Sequence, residues 1–377
     1  MKQLPDAAHP AYPADGAHAD AARADAARVD AAERRPVVTF PPLSVVMPVR
    51  NEERHLEDAV RHVLAQDYPA PIEVVLAVGP SRDRTLEIAQ RLASGDSRII
   101  VVPNPSGQIP SGVNTALRAS RHPVVARVDG HALLPAGYLR TAVVTLEETG
   151  ADDVGGVMAA EGVTPFERAV AWAMTSKAGV GGAPFHTGGG QGPADSVYLG
   201  VYRRAAIANV GGYDESYLRA EDWELNHRIR LAGGVIWFQP RLRVTYRPRP
   251  SAARLGAQYF HYGRWRRVVA RKHAGTISLR YLAPPATVLA IAAGLAAGTA
   301  GLAAGGAFAW ARWLTAGFVI PATYLAGILT VTGFAARGLA PRVRVWLPMA
   351  LATMHMCWGA GFLTSPRGLG TPGGRDS

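Results

Sequence analysis

Between Glu224 and Asp376 this chain contains no acidic residue. Residues 1–240 carry 23 Lys and Arg against 28 Asp and Glu, whereas residues 241–377 carry 17 against one, so the net charge of +11 belongs to the C-terminal part. Within that part, three stretches lack any formal charge: 31 residues from Tyr281 to Ala311, 24 from Trp313 to Ala336 and 22 from Val345 to Pro366. Each exceeds the roughly 20 residues needed to cross a bilayer core. Buried soluble helices or an Ala/Gly-rich tail would also lack charge, but three successive runs separated by arginines are hard to bury within protein. The expectation is about three transmembrane helices, at 282–305, 313–336 and 345–365 within a region 281–366, and then a tail, 367–377. Eleven basic residues in 241–280 lead into the first run, and Arg337, Arg342 and Arg344 separate the second from the third. The positive-inside rule places both groups, and with them the first 280 residues, on the cytoplasmic side of a multi-pass plasma-membrane protein.

Residues 251–280 interleave arginines with Leu255, Tyr259, Tyr262 and Val269, the pattern of a basic amphipathic helix at a membrane interface. A nucleic-acid patch uses the same residue types, but the apolar runs that follow favour the membrane and no nucleic-acid partner is expected. The single cysteine, Cys357, excludes an internal disulfide framework and a four-cysteine zinc site. Residues 1–40 are rich in Ala, Asp, Arg, His and Pro without apolar periodicity or a signal-peptide core, and read as a disordered arm.

From 41 to 250 short apolar runs alternate with helical patterns. Leu43–Val49, Ile72–Val78, Ile99–Val102 and the run ending at Asp129 read as strands. Val154–Met158, Val197–Tyr202 and Val235–Phe238 continue the series. Asn51 is expected to cap a helix with Leu56, Val60, Val63 and Leu64 on its inner face. Such alternation predicts an α/β domain with a mostly parallel sheet and helices on both faces. Its ligand belongs at the carboxyl edge of the strands.

Two stretches carry the chemistry. In HPVVARVDGHALL, a buried strand ends on Asp129, and His131 follows two residues on. Asp-Gly is a common turn, and the pair is also suited to hold a divalent cation on a diphosphate. In RAEDWELNHRIR, Glu221 and Asp222 open a helix, where acids also satisfy the helix dipole. Between them, seven glycines in Gly179–Ser196 mark a loop that either closes on substrate or is a disordered insertion.

VVMPVRNE (Val45–Glu52), RVDGHA (Arg127–Ala132), SVYLGVYRR (Ser196–Arg204), VGGYDE (Val210–Glu215), EDWELNHRIR (Glu221–Arg230) and QYFHYGRW (Gln258–Trp265) follow in order. Together they resemble the inverting family 2 glycosyltransferases of the GT-A, nucleotide-sugar-binding fold, and within them the membrane-bound succinoglycan-biosynthesis type. The resemblance implies that Pro48, Arg50 and Glu52 border the nucleotide pocket and that Asp83 is a further nucleotide contact. It implies a metal site at Asp129 and His131 for Mn2+ or Mg2+, and a catalytic base in the Glu221–Asp222 pair, at Asp222. It also puts Arg264 and Trp265 near the diphosphate or acceptor. Val78 stands where the family usually has the first Asp of its nucleotide loop, and His261 replaces a Gln.

The activity so implied is sugar transfer from a nucleotide-diphosphate sugar to a lipid-linked, membrane-associated acceptor in polysaccharide or glycolipid biosynthesis. Transfer to polyprenyl phosphate itself is the alternative within enzymes. A non-catalytic nucleotide-binding scaffold is the alternative outside them.

Overall fold

The computed structural model describes residues 39–304 and 307–371. The arm expected over 1–40 lies outside these but for its last two residues, as do residues 372–377 of the tail.

The α/β part begins β1 (Leu43–Val49), α1 (Leu56–Leu64), β2 (Ile72–Val78), α2 (Thr85–Gly95), β3 (Ile99–Pro103), α3 (Ile109–Ala119), β4 (Val124–Arg127) and α4 (Tyr138–Thr149). It continues with β5 (Asp153–Ala160), α5 (Pro165–Thr175), the two-residue β6 (Gly192–Pro193), β7 (Tyr198–Arg203), α6 (Arg204–Asn209), α7 (Glu221–Leu231) and β8 (Ile236–Tyr246). One eight-stranded sheet has the order β3-β2-β1-β4-β7-β5-β8-β6. β3, β2, β1 and β4 are parallel, but β7 inserts antiparallel between β4 and β5, so the sheet is mixed.

Side-chain parity explains the layering. In β1, Leu43, Val45, Met47 and Val49 point to one face, where Leu56, Val60 and Leu139 cover them. Val46 of β1 and Val75 of β2 point the other way, onto Val113 of α3 and Leu225 of α7. Burial on both faces is why these strands are apolar but for Ser44 and Glu73, which satisfy each other through a 2.6 Å hydrogen bond from the Ser44 hydroxyl.

α8 (Ala252–Lys272) leads to α9 (Leu279–Ala304), then to a 3-10 turn (Ala309–Phe318), α10 (Val319–Thr330) and a π turn (Val331–Ala335), and finally α11 (Leu347–Thr364). Two segments, Leu279–Ala304 and Ala309–Ala335, are long and apolar enough to cross a membrane. The expected third span is corrected. Its segment forms the 18-residue α11, but Leu347, Ala350, Leu351 and Met354 are buried against α5 and α8. α11 is thus a packed helix, and small residues on it and on α8 bring the two backbones together: a Cβ at Gly263 of α8 would overlap the Trp358 carbonyl, and one at Gly361 of α11 the Phe260 carbonyl. Gly294, Gly298 and Gly301 of α9 pack as closely on the 3-10 turn; Gly305 lies outside the described residues.

On α8, expected to be basic and amphipathic, Arg254 and Arg271 are exposed. Leu255, Tyr259, Trp265, Val268 and Val269 are buried, and so is Arg266, at 7% exposure.

Candidate active site

The site forms at the carboxyl ends of β1 and β4. Arg127, the last residue of β4 and 5% exposed, directs its guanidinium at three carboxylates. It donates to Asp222 Oδ1, to Glu221 Oε1 at 3.1 Å and to Asp129 Oδ1 at 3.3 Å. Acids 92 and 93 positions apart in the chain thereby share one cation. Tyr213 Oη donates to Asp222 Oδ1 at 3.1 Å. Tyr213 is itself held by Asn114, which accepts from its N–H at 2.9 Å and donates to its carbonyl at 2.8 Å. Asp222 keeps 31% of its side-chain exposure, and among the described residues nothing bonds its Oδ2, which leaves that oxygen for the crevice. Burial raises Glu221, with Arg127 opposing and Asp222 adding to the rise.

Backbone geometry serves the same place. Asn51 (φ 56°) and Ala220 (φ 61°) are left-handed, an uncommon state for residues other than glycine, and they directly precede Glu52 and Glu221. Asn51 does not cap α1 as expected. Its Oδ1 instead accepts from Arg82 N–H at 2.9 Å, and the helix starts later, at Leu56. The β1–α1 and β2–α2 loops are joined further by Asp83, which accepts from Glu53 N–H at 3.2 Å and from Thr85 N–H at 3.1 Å. Both Asp83 oxygens therefore brace loops. Arg50 reaches over Gly107, donating to its carbonyl at 3.4 Å, and Pro48 lies beneath Gly112 of α3.

His131 Nδ1 lies 2.8 Å from Glu52 Oε1, which fixes the imidazole and raises its pKa. A carboxylate on one ring nitrogen is the usual support of a histidine that binds metal through the other. Among the described residues there is no group of three or more acidic, His or Cys side chains that could hold a metal ion. Asp129 and His131 therefore fit a cation that completes its shell with substrate phosphates and water, as Mg2+ commonly does, and not an all-protein cage.

Arg264 and Trp265 lie on α8, and the cluster that holds Trp265 is bordered by Ala220 and Trp223, on either side of Glu221 and Asp222. Trp265 is 1% exposed and packs with Tyr217, Val268, Val269 and Leu369; Arg264 lies over the Phe260 ring at 5.2 Å. Sequence reading missed Arg127, Tyr213 and Asn114 as site residues. A charged residue inside the otherwise apolar VVAR strand was the available signal for Arg127.

An open α/β sheet with an acidic cluster at the carboxyl edge of its central strands, followed by apolar helices, defines a glycosyltransferase of the GT-A type. The chain belongs to glycosyltransferase family 2. The model described as glycosyl transferase family 2 matches residues 44–211. The succinoglycan biosynthesis protein ExoA of Rhizobium meliloti (strain 1021) is 33% identical over 321 residues, 84% of this chain and 93% of that protein. A dolichyl N-acetyl-alpha-D-glucosaminyl phosphate 3-beta-D-2,3-diacetamido-2,3-dideoxy-beta-D-glucuronosyltransferase of Methanococcus voltae is 22% identical over 258 residues, 64% of this chain and 77% of that protein. The mannosyltransferase PcManGT from Pyrobaculum calidifontis, solved with GDP-Man and Mn2+, has the same fold. It aligns at TM-score 0.56 and 20% identity over 92% of this chain and 96% of that one.

Proposed function

We propose that this chain transfers a sugar, with inversion, from a nucleoside-diphosphate sugar to a lipid-linked acceptor in polysaccharide or glycolipid biosynthesis, and that Asp222 is its base. The observation that carries this reading is the convergence of Asp129, Glu221 and Asp222 on Arg127. Arg127 and Tyr213 both hold Oδ1 of Asp222, so the carboxylate is oriented with Oδ2 outward. Oδ2 takes the proton of the acceptor hydroxyl while that oxygen bonds to the anomeric carbon and the bond to the diphosphate breaks. A single displacement of this kind inverts the anomeric centre. Asp129 and His131 would hold Mn2+ or Mg2+ together with the donor phosphates, and neutralising the leaving diphosphate is the chemistry such a cation supplies when bound. Arg50, Glu52 and Pro48 would border the nucleotide, with Glu52 also orienting His131.

The relatives support the class of substrate. PcManGT was solved with a nucleotide sugar and Mn2+, the Rhizobium relative is named for polysaccharide biosynthesis, and the Methanococcus relative for a dolichyl-phosphate glycan. We further propose that Leu279–Ala304 and Ala309–Ala335 span the plasma membrane, with the α/β part and Arg337, Arg342 and Arg344 on the cytoplasmic side.

The test is nucleoside-diphosphate release by membranes containing the chain, across UDP- and GDP-sugars, with Mn2+ or Mg2+ and total lipid extract. Lipid-stimulated release with one donor is expected. Asp222→Asn should lower it by about 10²- to 10⁴-fold while nucleotide binding persists; near-normal turnover in that variant removes Asp222 as base.

A further inference from the structure

Asp153 opens β5 with its side chain wholly buried, and among the described residues no salt bridge reaches it. Across the sheet it lies opposite Tyr202 of β7. Gly200 makes room for the pair. A Cβ there would fall 2.3 Å from Asp153 Oδ1 and 2.5 Å from Cζ of Tyr202, so the carboxyl and the phenol share the space a side chain would fill. Asn226 of α7, itself fully buried one turn beyond Asp222, reaches the same carboxyl. The Tyr202 hydroxyl adjoins that of Tyr213, and Tyr213 donates to Asp222 Oδ1 at 3.1 Å. A line of buried polar groups thus runs from β5 through β7 to the base and returns to α7 at Asn226.

A buried carboxyl without a cation costs stability, and proteins give up such stability where activity requires it. What the acid supplies here is a direction. Burial keeps the proton on Asp153, so its hydroxyl donates to Tyr202, Tyr202 to Tyr213 and Tyr213 to Asp222, each phenol accepting one bond and donating one. An ionised Asp153 would instead draw the Tyr202 proton to itself and leave the rotation of the Tyr213 hydroxyl unfixed.

We propose that Asp153 is a positioning residue for the transfer, acting through Tyr202 and Tyr213 to aim a hydroxyl at Asp222 Oδ1 and through Asn226 to seat the helix that carries Asp222. This inference rests on the transferase reading. The charged and titratable groups around Asp222 are Arg127 of β4, Glu221 beside it, Tyr213, Tyr202 and Asp153. The test variants change only the last two.

The experiment measures kcat, donor KM and the pH profile of kcat for nucleoside-diphosphate release by the purified full chain in micelles. Asp153→Leu should lower kcat by about tenfold or more with donor KM unchanged, because the base is misaligned and the donor site is untouched. A hydrogen bond to a carboxylate favours its charged form, so weakening the bond to Asp222 should move the acid limb of kcat to higher pH. Asp153→Asn, whose amide still donates to Tyr202, should keep kcat within about threefold of the parent. Tyr202→Phe removes one oxygen and little volume, and should shift the acid limb in the same direction, which keeps the test open should Asp153→Leu misfold. The double variant should lose no more than either single one.

A folded Asp153→Leu or Tyr202→Phe chain with the parent's kcat and acid limb overturns the inference. So does an Asp153→Asn chain as impaired as Asp153→Leu, or a double variant whose losses multiply. A lowered Tm without a shifted acid limb makes Asp153 structural only, and also overturns it. These outcomes leave the transferase reading standing, whereas a parent chain that releases nucleotide from no donor removes that reading and this inference with it.

Discussion

Arg127 brings under one buried guanidinium what two distant motifs contribute separately. Asp129 and Asp222 stood at a strand end and a helix start in the sequence, and the family resemblance is what singled them out there. Arg127 was not legible, because an arginine in a strand is explained only by the carboxylates it meets across the fold. Removing one partner from a buried ionic cluster leaves charges uncompensated, so Arg127→Gln should destabilise the protein by about 3–5 kcal/mol, seen as a lower Tm. Asp153 offers a pH test. It is fully buried, and burial, reinforced by the nearby Asp222 and opposed by Asn226 and Tyr202, holds its pKa well above the usual carboxylate range. The unfolded chain ionises this group near pH 4 while the folded chain keeps the proton, so stability is lost as pH rises above about 4 towards the folded pKa. Asp153→Asn removes that loss. Its Tm should exceed that of the parent by an amount that grows between pH 4 and pH 8 in a thermal-shift series.

Among the elements, α8 and α11 show most plainly what composition leaves open. Both have the composition expected of them, one basic and amphipathic, the other free of formal charge. Neither composition says which helix each will touch. Gly256 and Gly263 on α8 and Gly361 on α11 let the two backbones approach closely, and with α5 this contact buries seven of the 18 residues of α11. Gly263→Val would drive a side chain into the Trp358 carbonyl. Overpacking of this kind costs about 1–3 kcal/mol or more, and Tm in micelles should fall accordingly, whereas Gly338→Ala, with open space around it, should leave Tm unchanged. Trp265 of α8 is 1% exposed and packs with Tyr217, Val268 and Val269.

For the whole molecule, the α/β part and the helical tail share a hydrophobic cluster, in which Phe166, Val170 and Met174 of α5 meet Leu347, Leu351 and Met354 of α11. A chain ended after residue 278 should therefore expose that surface and elute as aggregates on size exclusion without detergent, while the full chain resists carbonate extraction from membranes. The resemblance to family 2 glycosyltransferases implied a site with Asp129, His131, Glu221 and Asp222, whereas the sequence by itself determined the α/β alternation and the apolar character of the tail. These follow from local periodicity, turn chemistry and charge, which act over a few residues. Only the tertiary structure decided that β7 runs antiparallel, that Arg127 and Tyr213 orient Asp222, that Asp83 braces loops, and that α11 packs on α8. Each of these depends on contacts between residues far apart in the chain, and local propensity carries no record of which distant side chain will be met.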